Sequence, residues 1–145
     1  MCLLMKSRCC SVVSGALLLL RAGWLYAAVC PALPEGPQYE RLSAPAVELA
    51  YRFEPATLKV GTFFLVDVAV CVPTGAAAIA DIRVEARMPA HGHGMNYRPT
   101  STRISPHRFQ FTGLMLHMPG RWEFTFDVFQ DGKQTRLTRD VELTQ

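Results

Sequence analysis

Charge is scarce in this chain. Asp, Glu, Lys and Arg make up 19% of its 145 residues and leave a formal net charge of +3. The arginines are scattered, with no dense basic run, no aromatic–basic stripe and no acidic tail. Nucleic-acid binding therefore lacks its electrostatic footprint. Catalytic motifs are missing as well. Ser43, Ser101 and Ser105 sit in no Gly-x-Ser-x-Gly elbow, and no paired carboxylates stand out for acid–base work. By strand period, Asp67, Asp81 and Asp127 are expected on exposed faces or strand ends, and Glu123 is expected to point away from the core. The chain reads as a non-enzyme. Half of its residues are apolar, enough for one domain with its own core and too few for two.

What is present first is a leader. Lys6 and Arg8 precede the apolar run Ser11 to Leu20, "SVVSGALLLL", and Ala27 and Ala28 offer small residues for cleavage. Residues 1–28 are expected to be a signal peptide, which makes the mature protein periplasmic or otherwise exported. The alternative is an uncleaved anchor from Val12 to Val29 that leaves the domain membrane-bound and facing the periplasm. Arg21 in its middle would cost roughly 2.5–3.5 kcal/mol on insertion scales. Cys2, Cys9 and Cys10 belong to the leader, so Cys30 and Cys71 remain. They can pair in an oxidising compartment, or Cys71 can act as a small hydrophobe at the end of an apolar strand. Residues 29–45 are Pro-rich and read as an extended linker. The domain is expected over 46–145.

Across that domain the apolar period is two. Phe64, Val66, Val68 and Val70 share one side. Ile82, Val84, Ala86 and Met88 alternate with Asp81, Arg83, Glu85 and Arg87. Phe109 and Phe111, then Trp122, Phe124, Phe126 and Val128, repeat the pattern, and Leu137, Val141 and Leu143 supply a last strand. Turn signals separate them: Val60-Gly61, Pro73-Thr-Gly75, Ser105-Pro106, Met118-Pro-Gly120 and Asp131-Gly132. About seven strands without an amphipathic helix predict an all-β, immunoglobulin-like antiparallel sandwich. Trp122 is expected in the core, with an indole N–H that needs an acceptor.

Two stretches carry soft and imidazole side chains: "MPAHGHGMN" from Met88 and "LMLHMPG" from Leu114. If the strands after Asp81, Thr100 and Arg108 run as successive antiparallel hairpins, they deliver His117 and Met118 to the end that holds His91, His93 and Met95. His107 falls at the other end. Thioether with imidazole favours Cu(I), and imidazole alone also accepts Cu(II) or Zn(II). No thiolate or carboxylate lies in the cluster, which excludes Cys-type zinc and hard-ion calcium sites. If the loop stays extended, His91 and His93 present both rings on one side. The competing reading is a Gly-shaped turn with surface histidines. In either case Met88 and Met115 follow the inward period and belong to the core.

"RMPAHGHGMNYRP" followed by "FQFTGLMLHMPGRWEFTFDV" resembles the YtkA-like family of small exported β-sandwich domains, related in pattern to FixH-type proteins. Met88, Pro89, His93, Gly94 and Met95 match the family's loop, and Met118, Gly120 and Trp122 match its following strand. The resemblance implies an immunoglobulin-like fold, export, no catalytic machinery, and company with copper handling or copper-oxidase assembly. The expected function is an exported copper-binding carrier or delivery factor. Its ion would be copper, Cu(I) favoured, at His91, His93, Met95, His117 and Met118. Its partner would be a copper-dependent oxidase or another envelope protein. The alternative is a metal-free interaction or assembly module of the cell envelope.

Overall fold

The computed structural model describes residues 33–144, so the leader and its cleavage site lie outside the described residues. The described chain is all strand and turn. The strands are β1 (Glu40–Ala44), β2 (Val47–Glu54), β3 (Phe63–Cys71), β4 (Ile79–Met88), β5 (His93–Gly94), β6 (Thr100–Ser105), β7 (Arg108–Met115), β8 (Gly120–Gln130) and β9 (Lys133–Leu143). They form two antiparallel sheets in the orders β1-β2-β3-β7-β6 and β5-β4-β8-β9. Apart from β1, those are the A-B-E-D and C′-C-F-G orders of an immunoglobulin-like sandwich. Two strands exceed the expected seven. One is the two-residue β5. The other is β1, which lies inside the stretch read as a linker. Pairing of Glu40 with Tyr51 through Ala44 with Val47 starts the sheet before residue 46. Leu33 is buried on the outer face of that sheet with Ala50 and Cys71.

The alternating residues do what their period requires. Val66, Val68 and Val70 from β3, Ile82 and Val84 from β4, and Trp122, Phe124 and Phe126 from β8 fill the space between the sheets. The sheets interlock through aromatic pairs, Tyr51 with Phe126 at 4.7 Å and Phe53 with Phe124 at 4.9 Å. Asp131-Gly132 closes the β8–β9 hairpin with both residues at positive φ, the conformation that Asp-Gly turns adopt readily.

The strand pairing differs from successive hairpins. β4 pairs with β8 and β5, whereas β6 pairs with β7 in the opposite sheet. Residues 95–99 therefore cross between sheets, and so do residues 116–119, where Met118-Pro-Gly120 closes no hairpin. Parity also changes inside β7. The β3 register passes from Phe64↔Leu114 to Val66↔Phe111, so β7 holds one extra residue, and Gly113 at φ +80° supplies the bulge. Leu114 and Leu116 are buried in consequence, and Met115, expected in the core, is only half-buried.

Cys71 ends β3 and is disulfide-bonded. It is the one cysteine of residues 33–144, so its partner lies outside the described residues, as does Cys30, whose pairing with Cys71 is one of two open readings.

Candidate functional site

Three chain segments converge at the end of the sandwich marked by Met88. The first is the β4–β5 hairpin. Met88 pairs with His93, and the Met88 carbonyl accepts from His91 N at 3.2 Å and Gly92 N at 3.0 Å. Gly92 turns the corner at φ +68°, a conformation open to glycine at no steric cost. This tight turn replaces the extended His91-x-His93 arrangement. His91 stands on the turn, exposed, while His93 enters the strand and is half-buried. The second segment is the β7–β8 crossover, which carries His117 and Met118. It is tied down by Gly61 N donating to Leu116 O at 2.8 Å. The third is the start of β8, where Trp122 is wholly buried and donates its indole N–H to Met118 O at 3.0 Å.

These segments bring the rings of His93 and His117 to a centroid distance of 5.1 Å, tilted by 32°. Trp122 stands beside both, 5.4 Å from His117 and 6.1 Å from His93. His91 lies 5.7 Å from His93, and among the described residues that is its one ring partner. Met95 and Met118 are half-buried and pack against the core cluster. Met95 N donates to Ala86 O at 3.1 Å, which anchors the backbone just beyond β5. His107 sits in the β6–β7 turn at the opposite end, its carbonyl accepting from Val70 N.

The hydrogen bonding of the two imidazoles is unequal. His93 Nδ1 lies 3.2 Å from the Gly94 carbonyl, and in the neutral tautomer that donates this bond Nε2 carries the lone pair. His117 Nδ1 is buried and has no hydrogen-bond partner among the described residues. The nearby indole N–H is engaged by the Met118 carbonyl. Burying a polar atom without a partner costs about 1–3 kcal/mol, so the fold carries an unpartnered ring nitrogen beside a second imidazole. Two imidazoles that share a tetrahedral ion at about 2.0–2.1 Å per bond hold their centroids roughly 5 Å apart, close to the observed separation. Among the described residues no three His, Cys, Asp or Glu side chains form a metal-binding group. The donors that the fold brings together are therefore two imidazoles, with Met95 and Met118 flanking them in sequence. His107 Nδ1 is likewise unpartnered, but no second imidazole approaches it.

No family model matches the chain, and no curated protein matches it either. Among solved structures, the chain is similar to the crystal structure of a DUF4426 family protein from Pseudomonas aeruginosa PAO1. The likeness has a TM-score of 0.50 at 10% identity and spans 73% of this chain and 94% of that one. At such identity it concerns the β-sandwich fold alone.

The carboxylates play structural parts. Asp67 and Asp127, expected on exposed surface, are buried. The reason is cross-strand arginine cover. Arg108 and Arg52 both reach Asp67, at 2.5 and 3.3 Å, and Tyr39 adds its hydroxyl. Burial pushes the Asp67 carboxyl up, but the two guanidinium groups outweigh it and hold it below the usual carboxylate range. Asp127 is lowered chiefly by its two hydrogen bonds from Arg136, at 2.7 and 2.8 Å. Tyr51 is pushed up by burial and then by Glu40, which accepts its hydroxyl at 3.0 Å. Glu123 pairs with Arg87 at 2.6 Å on the outer side of β8 and β4.

Sequence reasoning assigned Trp122 to the core and missed that it walls the histidine pair. It also missed the exposed contact between Phe63 and Tyr97, 5.3 Å apart at the same end. The spacing Met118-x-Gly120-x-Trp122 was the available signal for the first. Nothing local signals the second, because β3 and the crossover after β5 meet only in the folded chain.

Proposed function

We propose that this protein is an exported copper-binding carrier or delivery factor that takes one Cu(I) between His93 and His117. The observation that carries the reading is the buried, unpartnered Nδ1 of His117 in a ring 5.1 Å from that of His93. His93 Nε2 and His117 Nδ1 would be the nitrogen ligands, Met118 and Met95 the thioether candidates, and exposed His91 an outlying ligand. Copper would supply a soft Lewis acid that these neutral donors suit. The Gly92 turn and the crossover before β8 hold the two rings side by side. The resemblance to YtkA-like and FixH-type domains supports the same reading and suggests a copper-dependent oxidase or other envelope protein as recipient. The disulfide at Cys71 supports an oxidising, exported location, since such bonds are rare in reducing compartments.

The test is a titration of the apo-protein with Cu(I) against a competing chromophoric chelator. Stoichiometric uptake is expected. Loss of uptake is expected on joint replacement of His93 and Met118 by Ala, with a smaller effect from His91→Ala. Absence of uptake by the wild-type chain rejects the reading. A second reading, a metal-free assembly module, draws on the exposed Phe63–Tyr97 pair. Exposed aromatics of this kind are common in interaction surfaces. It predicts a partner retained after chelator treatment.

A further inference from the structure

We infer that Trp122 makes the site selective for a singly charged soft ion by presenting its indole as a third wall beside the two imidazoles. This rests on the reading of His93 and His117 as ligands. The three ring centroids form a triangle with sides of 5.1, 5.4 and 6.1 Å. The indole is inclined at 69° to His93 and 78° to His117. Both imidazoles meet the indole in T-shaped, edge-type contacts, which places the pair directly beside its ring. A cation within about 6 Å of an indole centroid is attracted by the ring quadrupole, and tryptophan is the strongest of the aromatic partners.

Trp122 is fixed in that position. It is wholly buried, and its N–H is held by the Met118 carbonyl. It therefore offers π density and no further lone pair.

Charge leads to the same preference. The donors around the pair are neutral, and Glu123, the carboxylate next to Trp122 in sequence, is bound to Arg87 at 2.6 Å. A doubly charged ion there keeps more uncompensated charge next to a buried ring than a singly charged one does. Neutral nitrogen and thioether donors, a polarizable wall and no anionic ligand all favour Cu(I), or Ag(I) as its redox-inert stand-in.

The experiment uses the full chain carrying Trp24→Phe and Cys2→Ser, Cys9→Ser and Cys10→Ser, so that Trp122 is its remaining indole and no leader thiol competes for the ion. Ag(I) and Zn(II) are titrated separately. Uptake is measured by equilibrium dialysis with metal analysis, and indole absorption and fluorescence are read on the same samples. Ag(I) is expected to bind at one per chain, quench the indole and add a low-energy shoulder to its absorption. Zn(II) is expected to bind at least tenfold more weakly and to produce no shoulder. Trp122→Phe should reduce the Ag(I)-over-Zn(II) preference by roughly tenfold. The spectra of the chain that keeps Trp122 decide the matter if that variant fails to fold. Stoichiometric Ag(I) uptake with an unchanged indole spectrum, or Zn(II) binding as tight as Ag(I), overturns the role of Trp122 and leaves the histidine pair standing. No Ag(I) uptake overturns both.

Discussion

Replacing His117 with Leu is expected to stabilise the apo-protein while abolishing its response to copper. Leu keeps a similar side-chain bulk and removes Nδ1, which is buried without a partner. Removing such an atom recovers about 1–3 kcal/mol. The ring contacts to His93 and Trp122, at 5.1 and 5.4 Å, are lost with it. Aromatic contacts of this kind are worth about 0.5–1.5 kcal/mol. The net is a gain on the order of 1 kcal/mol, or a Tm rise of roughly 4 °C for a domain near a hundred residues. Copper changes the order. An ion present at a hundred times its Kd adds about 2.7 kcal/mol to the protein that binds it. Loaded wild type should then exceed His117→Leu by somewhat under 2 kcal/mol, because the variant gains nothing. Thermal melts of both proteins under anaerobic conditions, with and without Cu(I), provide the assay. A His117→Leu apo-protein that melts below wild type by several degrees would show that Nδ1 is satisfied in the fold. A variant that keeps the Cu(I)-dependent rise would show that His117 is no ligand. Either result refutes the reasoning.

Two further outcomes concern the scaffold. Gly113→Ala places a Cβ in open space, with nothing within 4 Å, but at φ +80°. It should cost about 1–2 kcal/mol of backbone strain, read as a lower urea midpoint at unchanged slope, and an unshifted midpoint would show that the bulge does not constrain φ. Asp67 titrates lower in the folded than in the unfolded chain, so between those values the unfolded chain binds more protons. Its contribution is complete above about pH 4 and is lost as pH falls through the folded-state value. Asp67→Asn should therefore lower Tm at pH 7 and flatten the acid fall of the melting curve, and parallel curves for the two proteins would contradict the linkage.

The period-two runs and the turn residues were legible in the sequence because each is a local property. Side chains two apart share a face whatever the strand pairs with, and Asp131-Gly132 favours positive φ by itself. The nature of the donors at His93, Met95, His117 and Met118 was legible for the same reason. Pairing partners were not. β6 joined the sheet opposite β4, and β1 formed where prolines had suggested a linker, because backbone hydrogen bonds are satisfied by whichever edge lies near in three dimensions. The single-residue bulge at Gly113 reversed the parity of β7, burying Leu114 and Leu116 in place of Met115. Asp67 and Asp127 became buried because arginines on neighbouring strands cover them. Local sequence thus determined which residues form strands, which faces are apolar, and which atoms can act as ligands. Only the tertiary structure decided that one imidazole nitrogen is buried without a partner, beside a second imidazole and against an indole. That arrangement depends on segments far apart in the chain, and local patterning carries no information about distances between them.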